Sequence, residues 1–597
     1  MVIALSLSFL VGLIGLVMLL ESVSIKGFRN YADACIHFTK STLIVGANNS
    51  GKSNLLFALR ILFDPTLSVK DFELSDGDFN IEALDDEVEI TAKLARVDEP
   101  CLLSAFGKYL SDEKEVYITY RARRDGTYSF YAGPDGVEGL KKVASRFYIQ
   151  NLMLEYVESA RDIGAFIKRR QRSLIEHSKD RRSEQEYEDD ESRMRSIQQK
   201  LNELNDEISN LNYVSDSLVS VNREMEKLSF ANSDFEAKFV AGNTDATRLV
   251  DNLRLAYLYG ESPLTFGGDG RRNQLYFATW ISDRIHGQVE QKETVYIFAI
   301  EEPEAHLHPH QQRRLASYLS GSTDEQTLIS THSPQIVASA RDAEILRMPA
   351  IENNAIRASL NPVSVPVDLR EFGYRMNPIT SEVFFADAVL LVEGPSETLF
   401  YTALADAIGI DLDHLNISII AVNGVGFLHY VEICRKLGIP FAMRTDNDIF
   451  YNEKTGKSRF AGVLRGVRVV EALYSHHESA ARLIELKPRL SWGYDEDEGL
   501  SFDASREAVD VLKTYGVFLS SVDLETDLVD SSLYESLREY YDIVDKEALI
   551  SAMQRRKAES MFEFLLSKPD LSVLRSGSLS SPLLYLCPQV SDQNGKS

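Results

Sequence analysis

Acidic residues follow two hydrophobic runs in the second half of this chain of 597 residues. Glu393 follows the run 388–392 and is succeeded by Glu397, and Asp446 and Asp448 follow the second run. Because ligands of open α/β sheets bind at the carboxyl ends of the strands, we expect these four acids to meet at one sheet edge. Clustered carboxylates repel one another unless a divalent cation neutralises them, so the pattern predicts a metal site. Acids scattered on surface loops are the alternative.

A glycine-rich segment, GANNSGKS, lies between a predicted strand over 41–45 and a predicted helix over 52–63. It matches the pattern GxxxxGK[ST], in which backbone N–H groups at a helix N-terminus surround phosphates. The lysine of this pattern contacts the β- and γ-phosphates, and its serine holds Mg²⁺. The match therefore predicts a site for ATP. The residues of this site are Gly46, Asn49, Gly51, Lys52 and Ser53.

Two later strands, predicted over 295–300 and 326–330, end in polar residues that would complete this site. Glu301 is suited to organise Mg²⁺ and its water, and Glu302 to polarise the attacking water. His332 follows the second strand, where it can reach a γ-phosphate; a purely structural histidine is the alternative. The three residues predict that the chain hydrolyses ATP.

The composition is that of a globular protein with more than one domain. Hydrophobic residues make up 44% of the chain and charged residues 26%, and the length exceeds what one core usually serves. The net charge of -26 argues against a protein that coats nucleic acid broadly, but it allows binding through a local basic patch or bridging metal ions. The four cysteines lie far apart, without zinc or disulfide spacing, which favours a reducing cytoplasmic location.

The first twenty residues carry no charge and are apolar enough to cross a membrane. A secretory peptide would need a basic residue before Lys26. Translation that begins at Met18 would start the first strand at once, which would make residues 1–17 an over-extended start. A membrane anchor through residues 1–20 and an additional buried helix are the other two possibilities.

Residues 164–237 contain no proline and almost no glycine. From Met194 to Leu211 their apolar residues recur at alternating intervals of three and four, which is typical of a coiled coil. The pattern slips beyond Leu211, so two helices folded back on each other fit as well as one rod.

The basic segment 168–182 precedes the coiled-coil pattern and is followed by the acidic run 184–191. The basic side chains are candidates for phosphate contacts, and a solvated helix face is the alternative. The acidic run favours a flexible or exposed junction. Farther along the chain, residues 350–385 and the residues from 571 read as irregular, and strands alternate with helices from 386.

The ATPase motifs resemble those of the recombination-repair branch of the ABC-type ATPases. The segment IKGFRNY precedes the glycine-rich loop, and EEPEAHLHP begins at Glu301. Gly267 and Gly268, in the run FGGDGRR, resemble the signature motif, which in that superfamily closes on the nucleotide of a second subunit. The resemblance implies a homodimer or higher homo-oligomer with ATP between protomers. A glutamine-loop is not assigned.

The acids of the second half resemble a TOPRIM domain, with EGPSE over 393–397, VNG over 422–424 and DND over 446–448. An ABC-type ATPase with a short coiled coil followed by TOPRIM is the arrangement of the OLD (overcoming lysogenization defect) family of nucleases, to which the Gabija defence nuclease belongs. That family has an acidic motif after the fourth TOPRIM strand and a basic residue beyond it. Glu525, Asp527 and Lys557 match these positions, although Lys557 lacks the neighbouring glycine of the family pattern.

The resemblance implies an ATP-regulated, metal-dependent DNA endonuclease with a role in prokaryotic defence against phages. Two divalent cations, Mg²⁺ or Mn²⁺, would activate a water and stabilise the leaving oxygen during phosphodiester cleavage. Glu393 would contribute to catalysis, and Lys557 would neutralise charge in the transition state. The metal ligands would be Ser53 and Glu301 beside ATP, and Glu393, Glu397, Asp446, Asp448, Glu525 and Asp527 in the nuclease.

Two alternatives stay open: an ATP-driven sensor or scaffold with vestigial TOPRIM acids, and a nuclease that acts on RNA such as tRNA. The partners implied are DNA and a helicase or other defence protein. The expected fold class is α/β, an ABC-type P-loop ATPase with a coiled-coil or helical insertion followed by a TOPRIM domain. The predicted segments are an extension (1–17), an ATPase N-lobe (18–163), a helical dimerisation insertion (164–237), an ATPase C-lobe (238–368), a linker (369–385), the TOPRIM nuclease (386–570) and a tail (571–597).

Overall fold

The computed structural model describes residues 18–594 except for 83–85, 137, 159–174, 177, 218, 220–222, 224–245, 252, 254–256, 260–261, 265–268, 288–293, 322–324, 341–342, 350–355, 363–379, 425, 455–456, 475–476 and 492–497. The chain divides into two compact units, Met1–Ser159 with Glu293–Glu304 and Pro309–Ser597, and Ala160–Lys292 with Ala305–His308.

The strands of the described residues are β1 (Leu19–Phe28), β2 (Tyr31–His37), β3 (Ser41–Val45), β4 (Glu87–Ala95), β5 (Val116–Arg123), β6 (Tyr128–Gly133), β7 (Lys141–Val143), β8 (Leu152–Val157), β9 (Tyr257–Tyr259), β10 (Ser262–Leu264), β11 (Val295–Glu301), β12 (Gln326–Ser330), β13 (Glu344–Arg347), β14 (Ile356–Leu360), β15 (Ala388–Val392), β16 (Ile417–Ala421), β17 (Phe441–Thr445), β18 (Ile449–Asn452), β19 (Lys457–Phe460) and β20 (Val517–Leu519). The α-helices are α1 (Lys52–Phe63), α2 (Pro100–Phe106), α3 (Glu184–Ser209), α4 (Ala246–Asp251), α5 (Asp269–Gly287), α6 (Pro309–Gly321), α7 (Pro334–Val337), α8 (Pro395–Ile408), α9 (Phe427–Lys436), α10 (Ala461–Tyr474), α11 (Glu478–Leu486), α12 (Glu498–Thr514), α13 (Leu524–Val529), α14 (Tyr534–Tyr541), α15 (Lys546–Gln554), α16 (Lys557–Leu566) and α17 (Ser581–Asn594).

A parallel sheet of five strands, in the order β13-β3-β12-β11-β8, carries the glycine-rich loop. Strand β3 has the sequence STLIV, and its last four residues are buried, as a continuous apolar run requires in a sheet covered on both faces. The register pairs Glu301 with Ser330 across β11 and β12. The glycine-rich loop and the ends of β11 and β12 therefore lie at one edge, as the sequence predicts.

A second sheet packs against α1 and has seven strands in the order β14-β2-β1-β4-β5-β6-β7. Alternate residues of β1 and β4 are buried, including Val23, Ile25, Val88 and Ile90, so one face of this sheet forms the core. The irregular structure expected over 350–385 is wrong at 356–360, where β14 pairs in parallel with β2.

The acidic run 184–191 is largely exposed, as one of the two expectations has it, but it forms the start of the helix α3. Ser183 caps this helix by accepting a hydrogen bond from the backbone N–H of Glu186, whose carboxylate accepts from the backbone N–H of Ser183. Acids in a first turn are also stabilised by the helix dipole. Two residues of the predicted coiled-coil stripe on this helix, Ile197 and Leu204, have exposed side chains. Most of the basic segment 168–182 lies outside the described residues.

A parallel sheet of four strands, in the order β16-β15-β17-β20, lies in the segment 386–570 that the sequence predicts to be a TOPRIM domain. All five residues of β15 and of β17 are buried. Strand β17 begins after Pro440 and ends at Thr445, so Asp446 is the first residue beyond it. Glu393 is likewise the first residue beyond β15, which brings the two acids to one sheet edge.

The expectation of an irregular tail from 571 is wrong, because helix α17 packs on β15 and β17. Its residues Leu583 and Leu586 are fully buried in the same apolar core as Leu390 and Val392. Burial of such side chains stabilises a fold by about 1.5–3 kcal/mol each. Among the residues that the structure describes, no helix has both the length and the apolar character needed to cross a membrane; residues 1–17 are outside them.

Candidate functional site

The glycine-rich loop has backbone angles that side chains would disfavour. Gly46 and Gly51 have φ values of 152° and 95°, and Asn49 has a φ of 63°. A Cβ atom on Gly51 would lie 2.2 Å from Nδ2 of Asn30, and one on Gly46 would lie 2.9 Å from Oγ of Ser50. The hydroxyl of Tyr31 donates to the carbonyl of Gly51 at 2.9 Å. The loop is therefore held in a shape that needs glycine at both positions.

The ammonium group of Lys52 lies inside this loop. Its Nζ donates to the carbonyl oxygens of Gly46 and Ala47 at 3.0 and 2.8 Å. Burial lowers the pKa of Lys52 to about 8, and the nearby carboxylates of Glu302, Glu301 and Glu304 oppose this effect. The lysine is thus mainly protonated at neutral pH and lies at the N-terminus of α1, where an anion binds favourably.

Two residues predicted to bind Mg²⁺ are in direct contact. The hydroxyl of Ser53 donates to Oε1 of Glu301, which is the last residue of β11. The other oxygen of Glu301 accepts from the hydroxyl of Tyr156, on the neighbouring strand β8. Burial and this hydrogen bond raise the pKa of Tyr156. Sequence analysis missed Tyr156, since no motif marks it.

Glu302 and His332 meet beyond the ends of β11 and β12. Oε1 of Glu302 lies 3.7 Å from Nε2 of His332. Burial lowers the pKa of His332, and Lys52 adds to this effect while Glu302 opposes it. The backbone of Glu302 has a φ of 42°, an uncommon value for a residue with a side chain.

Glu304 holds the segment that carries His332. Its Oε1 accepts from Oγ1 of Thr331 at 2.9 Å and from the backbone N–H of His332 at 2.7 Å. Burial raises the pKa of Glu304. Glu304 belongs to the motif EEPEAHLHP, but the motif alone assigns it no role, and its contact with the segment of His332 is visible only in the structure. Gly267 and Gly268 of the predicted signature motif lie outside the described residues.

Glu393 is tied to the end of the neighbouring strand β17. Its Oε1 accepts hydrogen bonds from Oγ1 of Thr445 at 2.5 Å and from the backbone N–H of Asp446 at 3.0 Å. It also accepts from Nη1 of Arg465 at 2.6 Å. The carboxylates of Glu393 and Asp446 therefore belong to one site.

Arg465 joins two of the predicted metal ligands. It lies on α10, and while Nη1 reaches Glu393, its Nη2 donates to Oδ2 of Asp448 at 2.6 Å. Its side chain is 11% exposed. Sequence analysis missed Arg465 because no family motif includes it. The only available signal was its position on the first helix after the DND motif.

Lys557 lies in the same cluster, at the start of α16. Its Nζ is 3.8 Å from Oδ2 of Asp446, 3.8 Å from Oδ2 of Asp523 and 3.2 Å from Oε2 of Glu525. These four residues come from three separate parts of the chain. Asp523 was not proposed as a site residue, and it also caps α13 by accepting from the backbone N–H of Thr526.

The carboxylates of this cluster are desolvated and crowded. Burial, followed by the charge of Glu393, raises the pKa of Asp446 to about 7, and Lys557 opposes this effect. Burial also raises the pKa values of Glu397 and Glu525. Neither buried oxygen of Glu525 accepts a hydrogen bond of good geometry, although Lys557 is within ion-pair distance of one of them. Such a group is stabilised by a cation.

Two predicted ligands have other partners in the structure. Asp527 forms a buried ion pair with Arg444 and accepts from the backbone N–H of Ser521 at 2.9 Å. Glu397 caps its own helix, because its Oε2 accepts from the backbone N–H of Gly394 at 3.1 Å. The cluster around Lys557 thus includes Asp446 and Glu525, with Asp523 in addition, while Asp527 faces Arg444.

The chemistry of the cluster fits divalent cations. Within the described residues, no three acidic, histidine or cysteine side chains converge closely enough to hold an ion by themselves. Mg²⁺ and Mn²⁺ nevertheless prefer oxygen ligands such as these carboxylates, and Glu525 has two buried oxygens without hydrogen bonds. Arg465 and Lys557 lie between the acids, so metal binding requires these cationic side chains to move aside.

Comparisons with known proteins match both parts of the chain. The AAA ATPase domain family matches residues 18–130 and 137–337, which is more than half of the chain. The TOPRIM domain of overcoming lysogenization defect protein-like proteins matches residues 384–448. The described residues of the ATP site lie within the first match, and Glu393, Asp446 and Asp448 lie within the second, while Asp523, Glu525 and Lys557 lie beyond it.

Relatives with similar sequences are nucleases by name. The chain is 24% identical over 580 residues to Endonuclease GajA of Bacillus cereus, and the match covers 91% of this chain and 94% of that protein. It is 31% identical over 229 residues to an OLD nuclease of Thermus scotoductus, covering 35% and 41%. The C-terminal region of the Burkholderia pseudomallei OLD protein matches at 22% identity and a TM-score of 0.27, covering 34% of this chain and 99% of that one.

Proposed function

This chain belongs to the AAA ATPase domain family and also matches the OLD-like TOPRIM domain. From that premise we propose that it is an OLD-family nuclease, an ATP-regulated, divalent-metal-dependent DNA endonuclease that defends a prokaryotic cell against phages. The observation that carries the proposal is the cluster in which Glu393, Asp446 and Asp448 share one sheet edge with Glu525. Names of similar proteins support the nuclease activity. The defence role rests on the similarity to GajA.

In this proposal the nuclease metals are held by carboxylates of the cluster. The ligands are Glu393, Glu397, Asp446, Asp448 and Glu525, and we add Asp523 because it shares Lys557 with Asp446 and Glu525. Divalent cations held by these residues would supply the positive charge needed to activate a water and to stabilise the leaving oxygen. Asp527 acts through Arg444, whose guanidinium also donates to the carbonyl of Leu519 and so fixes the end of β20 beside the cluster.

Lys557 and Arg465 supply the fixed positive charge of the nuclease site. Lys557 is half-buried among three acids, so its ammonium remains protonated; their charges raise its pKa, although burial is the largest effect and opposes this. When the acids bind metals, we expect both cations to turn toward the scissile phosphate, which carries extra negative charge in the transition state.

In the ATPase site, separate side chains bind the phosphates, hold Mg²⁺ and accept the proton of the attacking water. Lys52 and the loop amides bind the phosphates, and Ser53 with Glu301 holds the accompanying Mg²⁺. Glu302 accepts a proton from the attacking water, and His332, neutral at pH 7, contacts the γ-phosphate. We further propose a homodimer that encloses ATP between protomers.

Regulation by ATP is supported by contacts between the ATPase region and the start of the TOPRIM sheet. Arg347, the last residue of β13, donates to the carbonyl of Ala386 at 2.7 Å and lies 3.4 Å from Oδ1 of Asp387. Helix α7, which directly follows His332 and Ser333, packs against the 3-10 helix Thr380–Phe384. Strand β15 begins one residue after Asp387 and ends at Val392, next to Glu393, so movement near the γ-phosphate can reach the nuclease site.

The test is cleavage by the purified full-length chain. We expect supercoiled plasmid to be cut with Mg²⁺ or Mn²⁺, and EDTA to abolish cutting. Asp446→Ala should lower cleavage by about 100-fold or more while ATP hydrolysis persists, because it removes an acid of the cluster alone. Asp411→Ala, at an exposed residue of the TOPRIM region, is the matched control. Cleavage of tRNA but not plasmid would replace DNA by RNA as substrate. Cleavage in the presence of EDTA would reject the metal dependence, and absence of cleavage of both substrates would reject the nuclease.

A further inference from the structure

A β-hairpin extends directly from the carboxylate cluster. Strand β18 begins at Ile449, the residue after Asp448, and pairs in antiparallel fashion with β19. The backbone N–H of Ala461, the residue after β19, donates to the carbonyl of Asp448 at 2.8 Å. The same turn of chain leads into α10, which carries Arg465. The base of the hairpin is therefore part of the proposed nuclease site.

One face of this hairpin combines an aromatic ring with cationic and amide side chains. Residues directly opposite each other in an antiparallel pair share a face, and so do residues two apart in one strand. The register places Phe450 opposite Arg459 and Asn452 opposite Lys457, so these four side chains share one face.

The opposite face of β19 is turned into the domain. Ser458 and Phe460 are buried, and the ring of Phe460 packs edge to face on Phe502 with centroids 5.1 Å apart. On β18, by contrast, Phe450 is 52% exposed and Tyr451 is 59% exposed. Because Phe450 and Tyr451 are consecutive in β18 they lie on opposite faces, so the exposed ring beside the cationic side chains is that of Phe450.

The charge of the hairpin suits an anionic partner. Between residues 449 and 460 the chain has three basic residues, Lys454, Lys457 and Arg459, and one acid, Glu453, although its net charge is -26. A local basic stripe is what a strongly acidic protein needs in order to hold a phosphate backbone.

We propose that the face formed by Phe450, Asn452, Lys457 and Arg459 binds an unpaired stretch of the nucleic-acid strand whose phosphate enters the carboxylate cluster. Phe450 stacks on a base, and the two cations contact neighbouring phosphates. A base inside a duplex has its faces covered by its neighbours, so stacking on Phe450 requires a single-stranded or locally opened substrate. The proposal rests on the nuclease function proposed above and adds its preferred substrate form.

The test uses single-stranded DNA and RNA oligonucleotides that contain 2-aminopurine, in EDTA to prevent cleavage. We expect the wild-type chain to quench the 2-aminopurine by stacking and to bind single strands more tightly than a blunt duplex. Phe450→Ala should remove the quenching and weaken single-strand binding by about 5- to 150-fold, with little change for the duplex. Phe450→Trp should retain both signals.

Two further variants separate stacking from charge and from general damage. Phe562→Ala truncates an aromatic side chain that is 50% exposed on α16, and it should leave binding unchanged. Lys457→Gln combined with Arg459→Gln should reduce the slope of log affinity against log salt by about 1.4 for single strands.

Unchanged binding and quenching in Phe450→Ala, or an equal loss for duplex and single strand, would overturn the proposal. The same holds if Phe450→Ala changes only the oligomeric state measured by light scattering, because the hairpin would then be a self-association surface. If the wild type cuts plasmid while Phe450→Ala binds normally, the hairpin proposal alone fails. If the wild type neither binds nor cuts nucleic acid, the nuclease function fails as well.

Discussion

The ATP site and the carboxylate cluster differ in what surrounds their charged groups. The ammonium of Lys52 is held by neutral carbonyl oxygens of Gly46 and Ala47. In the cluster, by contrast, Glu393 and Asp448 face the guanidinium of Arg465, and three other acids face Lys557. In the ATP site the charged group is held mainly by backbone carbonyl oxygens, whereas in the carboxylate cluster it is held by side chains of opposite charge.

This difference teaches how each site takes up its ligand. A phosphate entering the glycine-rich loop replaces weak carbonyl contacts of Lys52 with a full ionic contact, so little has to be broken. A divalent cation entering the cluster must displace Arg465 and Lys557 from their carboxylates, so its affinity is the difference between two strong interactions. ATP binding should therefore meet little competition from groups inside its site, whereas metal binding should depend on the competing cations.

The largest expected effect comes from removing the cation of the ATP site. Lys52→Ala should lower ATP hydrolysis by about 100-fold or more, because charge on the transferred phosphate loses its fixed partner. Affinity for Mn²⁺ in the carboxylate cluster, measured by calorimetry without ATP, should remain within twofold of wild type. Lys70→Ala, at an exposed residue of the same region, is the control. If Lys52→Ala hydrolysed ATP at the wild-type rate, the role assigned to Lys52 in the ATP site, and with it the contrast between the two sites, would be wrong.

The second prediction asks whether the two sites communicate through Arg347. Arg347 and Asp387 are 11% and 14% exposed, so removing one alone would leave a partly buried charge unpaired. The double variant Arg347→Met with Asp387→Asn should reduce the effect of ATP on plasmid cleavage by about 10-fold or more, within the usual range of coupling between sites. Affinity for ATP and for Mn²⁺ should stay within twofold.

The matched control for this coupling is the pair of Arg357 and Glu82, which is more exposed and lies 3.2 Å apart in the ATPase region. Arg357→Met with Glu82→Gln should leave the ATP effect on cleavage unchanged. An equal response of both double variants would show that the contact of Arg347 has no special role, and that the two sites are coupled elsewhere or not at all.

The smallest effect concerns competition inside the cluster. Arg465→Gln should tighten Mn²⁺ binding by about threefold to tenfold, because the cation no longer displaces a guanidinium. The metal-free protein should lose about 1–3 kcal/mol of stability, since Glu393 and Asp448 lose their shared partner. Calorimetric titration and denaturation with EDTA measure the two quantities.

Arg482→Gln provides the control for the Arg465 prediction, because Arg482 pairs with Glu507 at the protein surface. An exposed pair of this kind contributes only about 0–1 kcal/mol, and its loss should leave Mn²⁺ affinity unchanged. Weaker Mn²⁺ binding by Arg465→Gln would mean that Arg465 orients the carboxylates for the metal and does not compete with it.

Much of the architecture follows from local sequence patterns. The runs 41–45, 326–330 and 388–392 form strands with those bounds, and the predicted helix over 52–63 forms as well. The three strands follow short runs rich in apolar and β-branched residues, and the helix follows an apolar repeat of helical spacing, so the structure of each depends on neighbours in the chain. Segments 356–360 and 581–594 were not recognised as regular structure, because the first is a strand only by pairing with β2 and the second is a helix that packs on β15.

The sequence by itself determined which residues can carry the chemistry: the glycine-rich loop, Glu301 with Glu302, and the acids after β15 and β17 are contiguous motifs whose residue types limit what they can do. Only the tertiary structure decided how their charges are paired. Arg465 reaches Glu393, Asp523 shares Lys557 with Asp446, Glu304 holds the segment of His332, and Asp527 faces Arg444. These partners are 28 to 111 residues apart, and sheet register together with burial brings them together, which no local pattern records.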